Sequence, residues 1–595
     1  MKTYYITTPI YYVNDKPHIG HWYTTIATDI LYRNFMLSGF DARMQTGTDE
    51  HGQKIQKSAE KKGINEMQFC NEVSGEFYKM TVLANCACSY KNADIANFNE
   101  FENAKNALSN NKEDLFSQGE NFIRTSEGRD KNTGEITEQS LKEGRHVKFV
   151  IDFWNKLLEN GFIYKGKYEG WYAVRDEAFY GESEIVNGKA PSGAEVEWRV
   201  EECYFFKLSA FQKILIALLN AKKDMVMPHE KYTEVLAFIS GMRFTDAQKG
   251  EFKPDVLIDL CVSRPGLKWG IPVPNEENQS IYVWLDALTN YISALGEKAD
   301  KYWLNRNNES VVSHIVGKDI LRFHCVYWPA FLLASVMKID EINSINNLEI
   351  SDIYNKIKPY LKILPDKIYA HGWWTNNGEK ISKSLGNVIN PEDEISYIES
   401  LGAQNTLAVD YFRYFLLRAM PFGNDGDYSR SKLVLTVNAD LVNTIGNLTQ
   451  RTVSMAHKYL NSEAVIKISE NAREAIKKSV DNYSKYDILN AIEEALMLAR
   501  LANETIDKTA PWKLAKDGKI EEISQILSSL LGDILSIASL LQPICPFASS
   551  KILQIFNQKH AKYGDILNLD GVKINLLQSD EILFPRLVFE ENIKK

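Results

Sequence analysis

The chain has 595 residues, 44% of them hydrophobic and 25% charged, the composition of a soluble globular protein with room for several domains and a large core. Its formal net charge of −9 leaves no global basic footprint, so a nucleic-acid partner would have to bind local basic patches against a repulsive overall field. Seven scattered cysteines form no Cys-x-x-Cys pair, and Cys86-Ala87-Cys88 lacks zinc-knuckle spacing, which favours reduced thiols in a cytoplasmic protein.

The N-terminus enters a strand at once and lacks the apolar core of a signal peptide. No uncharged apolar stretch is long enough to span a bilayer. The segment Leu530–Phe547 contains Asp533 and ends in Pro543 and Pro546, so it reads as a buried helix. Tyr4–Tyr12 is rich in aromatic and β-branched residues, a buried-strand signal. Asn14-Asp15-Lys16-Pro17 is a turn, after which Trp22, Ile26, Ile30, Leu31 and Phe35 recur at helical spacing until Gly39. His18 and His21 therefore fall on one face of a first helical turn. Free backbone N–H groups and the positive end of the helix dipole are expected there, a corner suited to phosphate, with Gly20 allowing close approach. An isolated His-x-x-His would read as packing or solvation; a second element downstream answers this one.

Asp41–Thr46 is the expected second strand, which makes a right-handed βαβ unit. The loop Thr46–Gly52 then lies at that strand's carboxyl end, where open α/β sheets bind ligands. Asp49 is placed to hold a cation there, or else caps the helix Gln53–Lys62. Residues 97–145 turn polar and read as loops or a surface insertion. Between Tyr164 and Phe206, short apolar runs broken by glycines suggest a small β-rich insert. The α/β signal resumes at Val256–Val262; Ile281–Leu288 passes from strand to helix, with Tyr291 on the face of Trp284, Ala287 and Leu288. Ser313–Val316 is a strand ending at Gly317, and Asp319 just beyond could hold a ribose. His324 follows on a helix, where a core role is its bland alternative.

Lys380-Ile381-Ser382-Lys383-Ser384 follows a Gly-containing loop; two lysines three apart beside hydroxyls make a mobile clamp for a polyphosphate. From about residue 431 the pattern is helical to the end. Asn443, Asn447 and Arg451 follow at i, i+4 and i+8, a polar stripe that is either solvated or reads nucleobase edges. Pro511 opens another helix at its first position, and Trp512 beside it could be core or could stack on an unpaired base. No internal repeat is visible.

His18–His21 and Lys380–Ser384 together resemble the HIGH and KMSKS signatures of class I aminoacyl-tRNA synthetases, with Ile381 in the methionine position of the second. Within that class the chain resembles the methionyl-tRNA synthetase family. The matching stretches run in family order through Thr8–Asn14, Thr46–Gly52, Trp269–Pro274, Val283–Tyr291, Gly317–His324, His371–Trp374, Lys380–Asn387 and Asn438–Arg451. The resemblance implies an α/β fold: a Rossmann-type parallel-sheet catalytic domain, a small connective insert and an all-α C-terminal anticodon-binding bundle. It implies a first catalytic half at 1–115, an insert at 116–232, a second half at 233–364, a stem-contact segment at 365–430 and the helical domain at 431–595.

The implied activity is ATP-dependent attachment of methionine to its tRNA, by way of methionyl-adenylate and transfer to the 2′-OH of the terminal adenosine. His18, His21, Lys380 and Lys383 match the catalytic positions; Gly20, Gly317, Asp319 and Lys383 match ATP contacts. Asp49 matches the carboxylate for the α-ammonium, and Ile10, Tyr11, Trp284, Ala287, Leu288, Tyr291, Ile320 and His324 match the side-chain pocket. Asn443 lies in the stripe with Asn447 and Arg451, which with Trp512 match the anticodon readers, so CAU is the expected triplet, in initiator and elongator methionine tRNA alike. Mg²⁺ is implied with ATP.

Many relatives carry cysteine pairs in the insert, but here Ala173 and Asp176 stand where the first pair would fall and no second follows before Cys203. No structural zinc, or any other resident metal, is therefore expected. The segments near 126–145, 301–314 and 339–362 look longer than is usual in the family. The chain ends after Ile582–Arg586 without the extra dimer-forming domain some relatives have, so a cytoplasmic monomer is expected. Rival readings are a synthetase for leucine, valine or isoleucine, a nucleotidyltransferase without tRNA, and a catalytically silent tRNA-binding protein. The first generally needs a larger editing insert, the second needs no polar-striped helical domain, and the third needs neither histidines nor lysines.

Overall fold

In the computed structural model of the protein the described residues are 2–89, 101, 105–106, 108, 121–174, 178–180, 182, 185–306, 309–381, 386–559, 562–578 and 582–588. The aromatic N-terminal run forms two strands, β1 (Thr3–Thr7) and β2 (Tyr11–Tyr12). β1 is buried along its whole length, as a strand covered on both faces must be. Helix α1 (Ile19–Leu37) then leads to β3 (Asp41–Asp49), which pairs in parallel with β1, Thr3 opposite Asp41 and Thr7 opposite Gln45.

The later strands are β4 (Phe122–Arg124), β5 (Ile163–Ala173), β6 (Ala178–Tyr180), β7 (Glu197–Phe206), β8 (Val226–Met227), β9 (Leu260–Cys261), β10 (Ser263–Pro265), β11 (Gln279–Ile281), β12 (Val311–Gly317) and β13 (Lys367–His371). The main sheet runs β2-β3-β1-β12-β13-β8, with β4 on β3, and every pairing is parallel. Chain order turns back between β1 and β12, so their carboxyl ends open a crevice at the topological switch point.

Two expected boundaries shift. The segment 116–232 supplies β4 and β8 to the main sheet, and 365–430 supplies β13, so neither is wholly separate from the catalytic layer. The insert proper is an antiparallel sheet, β6-β5-β7-β9. The run at Val256–Val262 belongs to this sheet and not to the main one, because β9 pairs with β7. An apolar run that short carries no mark of which edge it will fill. Inside the insert a small cluster of Ala173, Ala190 and Ala194 packs with Tyr180 and Val196; Asp176 lies outside the described residues. All seven cysteines are unbridged and buried.

The long segments become local structure. The helices Ile339–Asn346 and Ile350–Ile357 pack their isoleucines inward near the helix Gln212–Ala221. Tyr302 donates to Asp41 at 2.7 Å, which ties the 301–314 segment to the start of β3. Among the described residues from Arg430 on, the regular structure is helical apart from a short two-stranded pair, Glu463–Val465 with Lys573–Asn575. One of its helices, Ile520–Leu541, is long and apolar enough to cross a membrane by length and composition, but most of it is buried in the bundle.

The two layers meet through a buried charge cluster behind α1. Asp29 Oδ2 accepts from Arg33 Nε and from Arg413 Nη2, each at 2.7 Å, and Asp29 Oδ1 accepts from the Ala87 N–H. Arg413, on the helix Asn405–Arg418, also donates to the carbonyls of Ala84, Pro543 and Ile544. One aspartate thus bonds two buried guanidinium groups and joins α1 to the C-terminal bundle. Removing one partner of a buried pair leaves uncompensated charge, which costs about 3–5 kcal/mol. Asp29→Ala should lower unfolding free energy by about that amount in urea titration; a loss under about 1 kcal/mol would show that the cluster does not bind the layers.

Candidate active site

α1 starts at an unusual cap. His18 is the N-cap residue, and the Gly20 N–H donates to its Nδ1 at 3.1 Å. The His18 N–H in turn donates to His21 Nδ1 at 3.0 Å. This is a capping box with imidazoles in place of the usual hydroxyl and carboxylate. A Cβ on residue 20 would come within 2.9 Å of His18 Cε1, so only glycine lets the ring fold over the helix start. The Ile19 N–H goes to the Ile389 carbonyl, and those of His21 and Trp22 go to the His18 carbonyl. The free N–H groups expected at this corner are therefore all taken.

The histidines replace them. Burial in the site wall holds His18 down at about 4 and His21 well below its ordinary value, so both are neutral at pH 7. A neutral imidazole that accepts at Nδ1 carries its proton on Nε2. The hydrogen-bond pattern thus assigns both rings the Nε2–H form. Neither Nε2 has a partner among the described residues, and both rings line a cleft of the main domain. The helix start presents two outward N–H donors, three residues apart, without a formal charge.

That cleft, about 510 Å³, opens at the crevice between β1 and β12. His18, Gly20, His21, Gly317, Asp319 and Lys380 line one part of it. Ile10, Tyr11, Asp49, Trp284, Ala287, Leu288, Tyr291, Ile320 and His324 line the rest. Every site residue expected here is thus in one cavity, except Lys383, which lies outside the described residues. Asp49 sits at the end of β3 beside Tyr12, with its carbonyl accepting from the Val13 N–H. A Cβ on Gly317 would meet Asp319 Oδ1 at 2.5 Å, so a side chain there would displace the carboxylate.

The apolar part is held rigid by its own polar atoms. His324 Nδ1 donates to the Ile320 carbonyl at 2.9 Å, so its Nε2 accepts from the Tyr291 hydroxyl at 2.6 Å. Burial lowers His324 to about 4 and raises the Tyr291 phenol, which keeps both neutral. The Tyr291 ring stacks on His314 at 4.1 Å, and Trp284 stacks on Phe323 at 3.6 Å. Tyr11 lies edge-on to His21, its hydroxyl on Thr25 at 2.7 Å. The result is an aromatic-walled niche in which the Tyr11 and Tyr291 hydroxyls and both ring nitrogens of His324 are already paired.

Other residues of the cleft carry no motif of their own. The Lys380 ammonium stands 4.0 Å over the Trp373 ring, Lys318 stands 4.4 Å from it, and Lys318 is paired with Asp425. Trp373 Nε1 reaches Asp319 Oδ1 at 3.3 Å. His371 Nε2 meets Thr24 Oγ1 at 2.8 Å, which ties β13 to α1. His371–Trp374 carries the family resemblance, but no periodicity or spacing marks Trp373 as a cation platform.

In the C-terminal bundle Arg451 pairs with Asp507 at 3.1 Å and its guanidinium lies 5.8 Å from the Trp512 ring. Trp512 is 39% exposed, at the first turn of a helix with Pro511 at its start. Asn443 and Asn447 line a separate groove of about 800 Å³, where Asn443 accepts from Arg586. The expected single stripe is bent: Asn438–Gly446 is a π-helical stretch, wider than the α-helix Asn447–Leu460 that continues it. A change in residues per turn rotates the first asparagine relative to Arg451.

The sequence matches the family profile "tRNA synthetases class I (M)" over residues 4–114, 138–197 and 187–453. It is 39% identical over 609 aligned residues to a methionine–tRNA ligase of Rickettsia conorii, covering 99% of each chain. A methionine–tRNA ligase of Mesorhizobium japonicum is 34% identical, covering 99% of this chain and 98% of that one. The fold is similar to that of Mycobacterium tuberculosis methionyl-tRNA synthetase in complex with methionyl-adenylate, with a TM-score of 0.76, 31% identity, and coverage of 98% of this chain and 100% of that one.

The histidines make a prediction of their own. Burial depresses six of them, His18, His21, His51, His314, His324 and His371. The unfolded chain takes up those protons near pH 6.5, whereas the folded chain resists them down to about 4 at His18 and His324. The unfolded state therefore binds more protons in this window, and stability falls as pH falls. Asp410 and Asp533, pushed up by burial to about 7 and about 6, act in the opposite sense but are fewer. The urea midpoint should be flat from about pH 7 to 8 and fall steadily from about 6.5 to 4; a midpoint that rises in acid would contradict neutral burial.

Proposed function

The chain belongs to the methionyl-tRNA synthetases of class I, and from that premise we propose that it activates L-methionine with ATP and transfers it to methionine tRNA. The observation that carries this reading is the single cleft in which a paired-histidine helix start, a carboxylate and an aromatic niche converge. In the first step a methionine carboxylate oxygen attacks the α-phosphorus of ATP, the bond to the bridging oxygen breaks, and pyrophosphate leaves. In the second, the 2′-OH of the terminal adenosine attacks the acyl carbon and AMP leaves.

Such a displacement needs positioning and charge stabilisation more than covalent help. The Nε2–H groups of His18 and His21 donate to phosphate oxygens as charge spreads over them. Neutral donors are well suited here, because they strengthen with developing negative charge without binding the ground-state triphosphate as tightly as a cation would. Lys380, over Trp373, stands at the same cleft and supports pyrophosphate departure together with Lys383. Asp319 and Gly317 hold the ribose side. Mg²⁺ enters with ATP as part of the substrate and would screen the phosphates there.

Asp49 receives the α-ammonium, and the thioether lies among Tyr11, Trp284, Ala287, Leu288, Tyr291, Ile320 and His324. Sulfur contacts to aromatic rings favour methionine, and the internally paired Tyr291 and His324 offer little to a hydroxylated rival. One methylene discriminates by only about 1–3 kcal/mol, so homocysteine is the awkward competitor. Asn443, Asn447, Arg451 and Trp512 read the CAU anticodon by hydrogen bonds and stacking. The small apolar cluster of the insert supports its fold, and metal analysis of the purified protein is expected to find no bound zinc. Both candidate sites lie in one chain, so a monomer suffices.

ATP–pyrophosphate exchange with each amino acid in turn, then tRNA charging, tests the assignment. Exchange should require methionine and charging should require methionine tRNA; exchange with leucine, valine or isoleucine alone would overturn it. Trp512→Ala should leave exchange intact and depress charging, whereas loss of both together would make Trp512 a core residue. His18→Asn keeps an oxygen acceptor for the Gly20 N–H but removes the Nε2 donor. It should slow adenylate formation by about 10²–10³-fold in pre-steady-state kinetics, with methionine KM and melting temperature nearly unchanged. An unchanged rate would remove the donor role.

A further inference from the structure

Beneath the amino-acid side of the cleft lies a buried polar chain that the reaction itself does not use. Asp286 is on the helix Val283–Ser293, after Trp284 and directly before Ala287 and Leu288. Its carboxylate is held on both oxygens: Oδ2 by His51 Nδ1 and Oδ1 by His146 Nε2, each at 2.7 Å. His51 stands two residues after Asp49 on the same loop, and His146 is the N-cap residue of the helix Val147–Glu159. His51 Nε2 accepts from Arg129 Nε at 2.9 Å, and His146 Nδ1 meets the Ser293 hydroxyl at 2.7 Å. Asp286, His51 and His146 are at most 2% exposed and Arg129 is 9% exposed.

The bonds have one consistent direction. A guanidinium cannot accept, so Arg129 donates to His51 Nε2 and His51 must carry its proton on Nδ1. That proton goes to Asp286, whose other oxygen takes the proton of His146 Nε2, while the Ser293 hydroxyl supplies His146 Nδ1. The two histidines hold the Asp286 carboxyl well below the usual carboxylate range despite burial. Arg129 is fixed in turn by the carbonyls of Gly134 and Gly270 and by the Trp269 ring, 4.4 Å away. His51 and His146 thus meet on one carboxylate, and Arg129 joins the chain through His51.

We propose that Asp286 is a positioning residue for the amino-acid site: it locks the loop that carries Asp49 to the helix that carries Trp284, Ala287, Leu288 and Tyr291. This rests on the reading of that cleft as the methionine site. It also gives a purpose to the long 126–145 segment, whose Arg129 sets the direction of the chain. The charge of Asp286 touches no substrate; it fixes the distance between the group that receives the ammonium and the wall that receives the side chain.

The direction of the bonds supplies the test. Asp286→Asn alone is satisfied if the amide turns its oxygen to His51 and its N–H₂ to His146, which then donates from Nδ1 to the Ser293 hydroxyl, itself within reach of the Asn290 carbonyl. Ser293→Ala closes that route. In D286N/S293A an amide oxygen on His51 leaves the His146 Nδ1–H unpaired, and an amide oxygen on His146 turns the N–H₂ towards the Nδ1–H of His51. His51 can then take the other tautomer only by aiming Nε2–H at the Arg129 donor. A glutamine at 129 places its Oε1 where arginine has Nε, so D286N/S293A/R129Q reverses the chain from His146 to residue 129. R129Q keeps the original direction too, because its amide can present its N–H; its loss of the bonds to the Gly134 and Gly270 carbonyls is common to both variants. Measured by ATP–pyrophosphate exchange, D286N/S293A should raise the methionine KM by about tenfold to a hundredfold over S293A, with ATP KM within about threefold. D286N/S293A/R129Q should bring the methionine KM back to within about threefold of S293A/R129Q.

A brace that only stabilises the fold would lower the melting temperature without this split and without rescue, and that result overturns the proposal. A methionine KM in D286N/S293A no higher than in S293A overturns it as well. Should D286N/S293A not fold, Ser293→Ala alone carries the test, since it removes the hydroxyl that supplies His146, together with that hydroxyl's longer contact to the Asn290 carbonyl: a methionine KM raised several-fold at a nearly unchanged melting temperature supports the proposal, and an unchanged KM defeats it. Absence of methionine-dependent exchange in the unaltered enzyme would instead mean that the reading of the cleft is at fault.

Discussion

Two imidazoles that cap a helix by their Nδ1 atoms set the character of this site. A helix start has backbone donors to spare, and an anion would ordinarily take them directly. Here His18 and the chain around it consume those donors, and the rings re-present them about an imidazole's width further out as Nε2–H groups. The exchange has electrostatic consequences. The donors remain neutral at pH 7, their tautomer is fixed by the backbone and not by the ligand, and the two rings lie 4.0 Å apart, centroid to centroid. Gly20 is the steric condition for this arrangement.

Such a device is useful only if α1 does not move. The helix is buried on nearly every side, against the sheet on one face and the helix Asn405–Arg418 on another, where Trp22 meets Phe412 edge-on. Asp29 closes the far side by bonding both Arg33 and Arg413. His371 and Thr24 join the near side to β13. The Asp49 side of the cleft is built by the same logic, with Glu50 held by Arg124 under the Asp49 loop and the Asp286 chain beside it. Buried ion pairs add little net stability, but in this cleft they fix the relative positions of loops that no secondary structure would hold.

The first βαβ unit was legible because its signals are local: a β-branched and aromatic run, a turn, then apolar residues at helical spacing. The strand ending at Gly317 followed from the same kind of signal. The niche residues were legible through family resemblance, since Ile10, Asp49, Trp284 and His324 lie too far apart in sequence for any periodicity to join them. Hydrogen-bond direction was not legible: nothing in His-x-x-His says that the rings will take the backbone N–H groups for themselves. Nor was strand membership, because β4, β8, β9 and β13 are short and find their edges through long-range pairing. The π-helical stretch at Asn438–Gly446 likewise turns a regular i, i+4, i+8 stripe into two surfaces, one with Arg586 and one with Trp512. Arg129 and Trp373 act through partners on distant elements, which a linear reading does not see.

The claim that carries most weight is that the two helix-start histidines are neutral Nε2–H donors before substrate arrives. Nitrogen-15 chemical shifts of the imidazoles report it directly. The protein would be labelled at histidine, with the His18 and His21 signals assigned from single His→Asn variants. At pH 7 without ligand, each of the two rings should show a protonated Nε2 and an unprotonated Nδ1, and should keep that pattern down to about pH 5 at His18, whose burial holds its titration near 4. A doubly protonated ring at pH 7, or a proton found on Nδ1, would contradict the account.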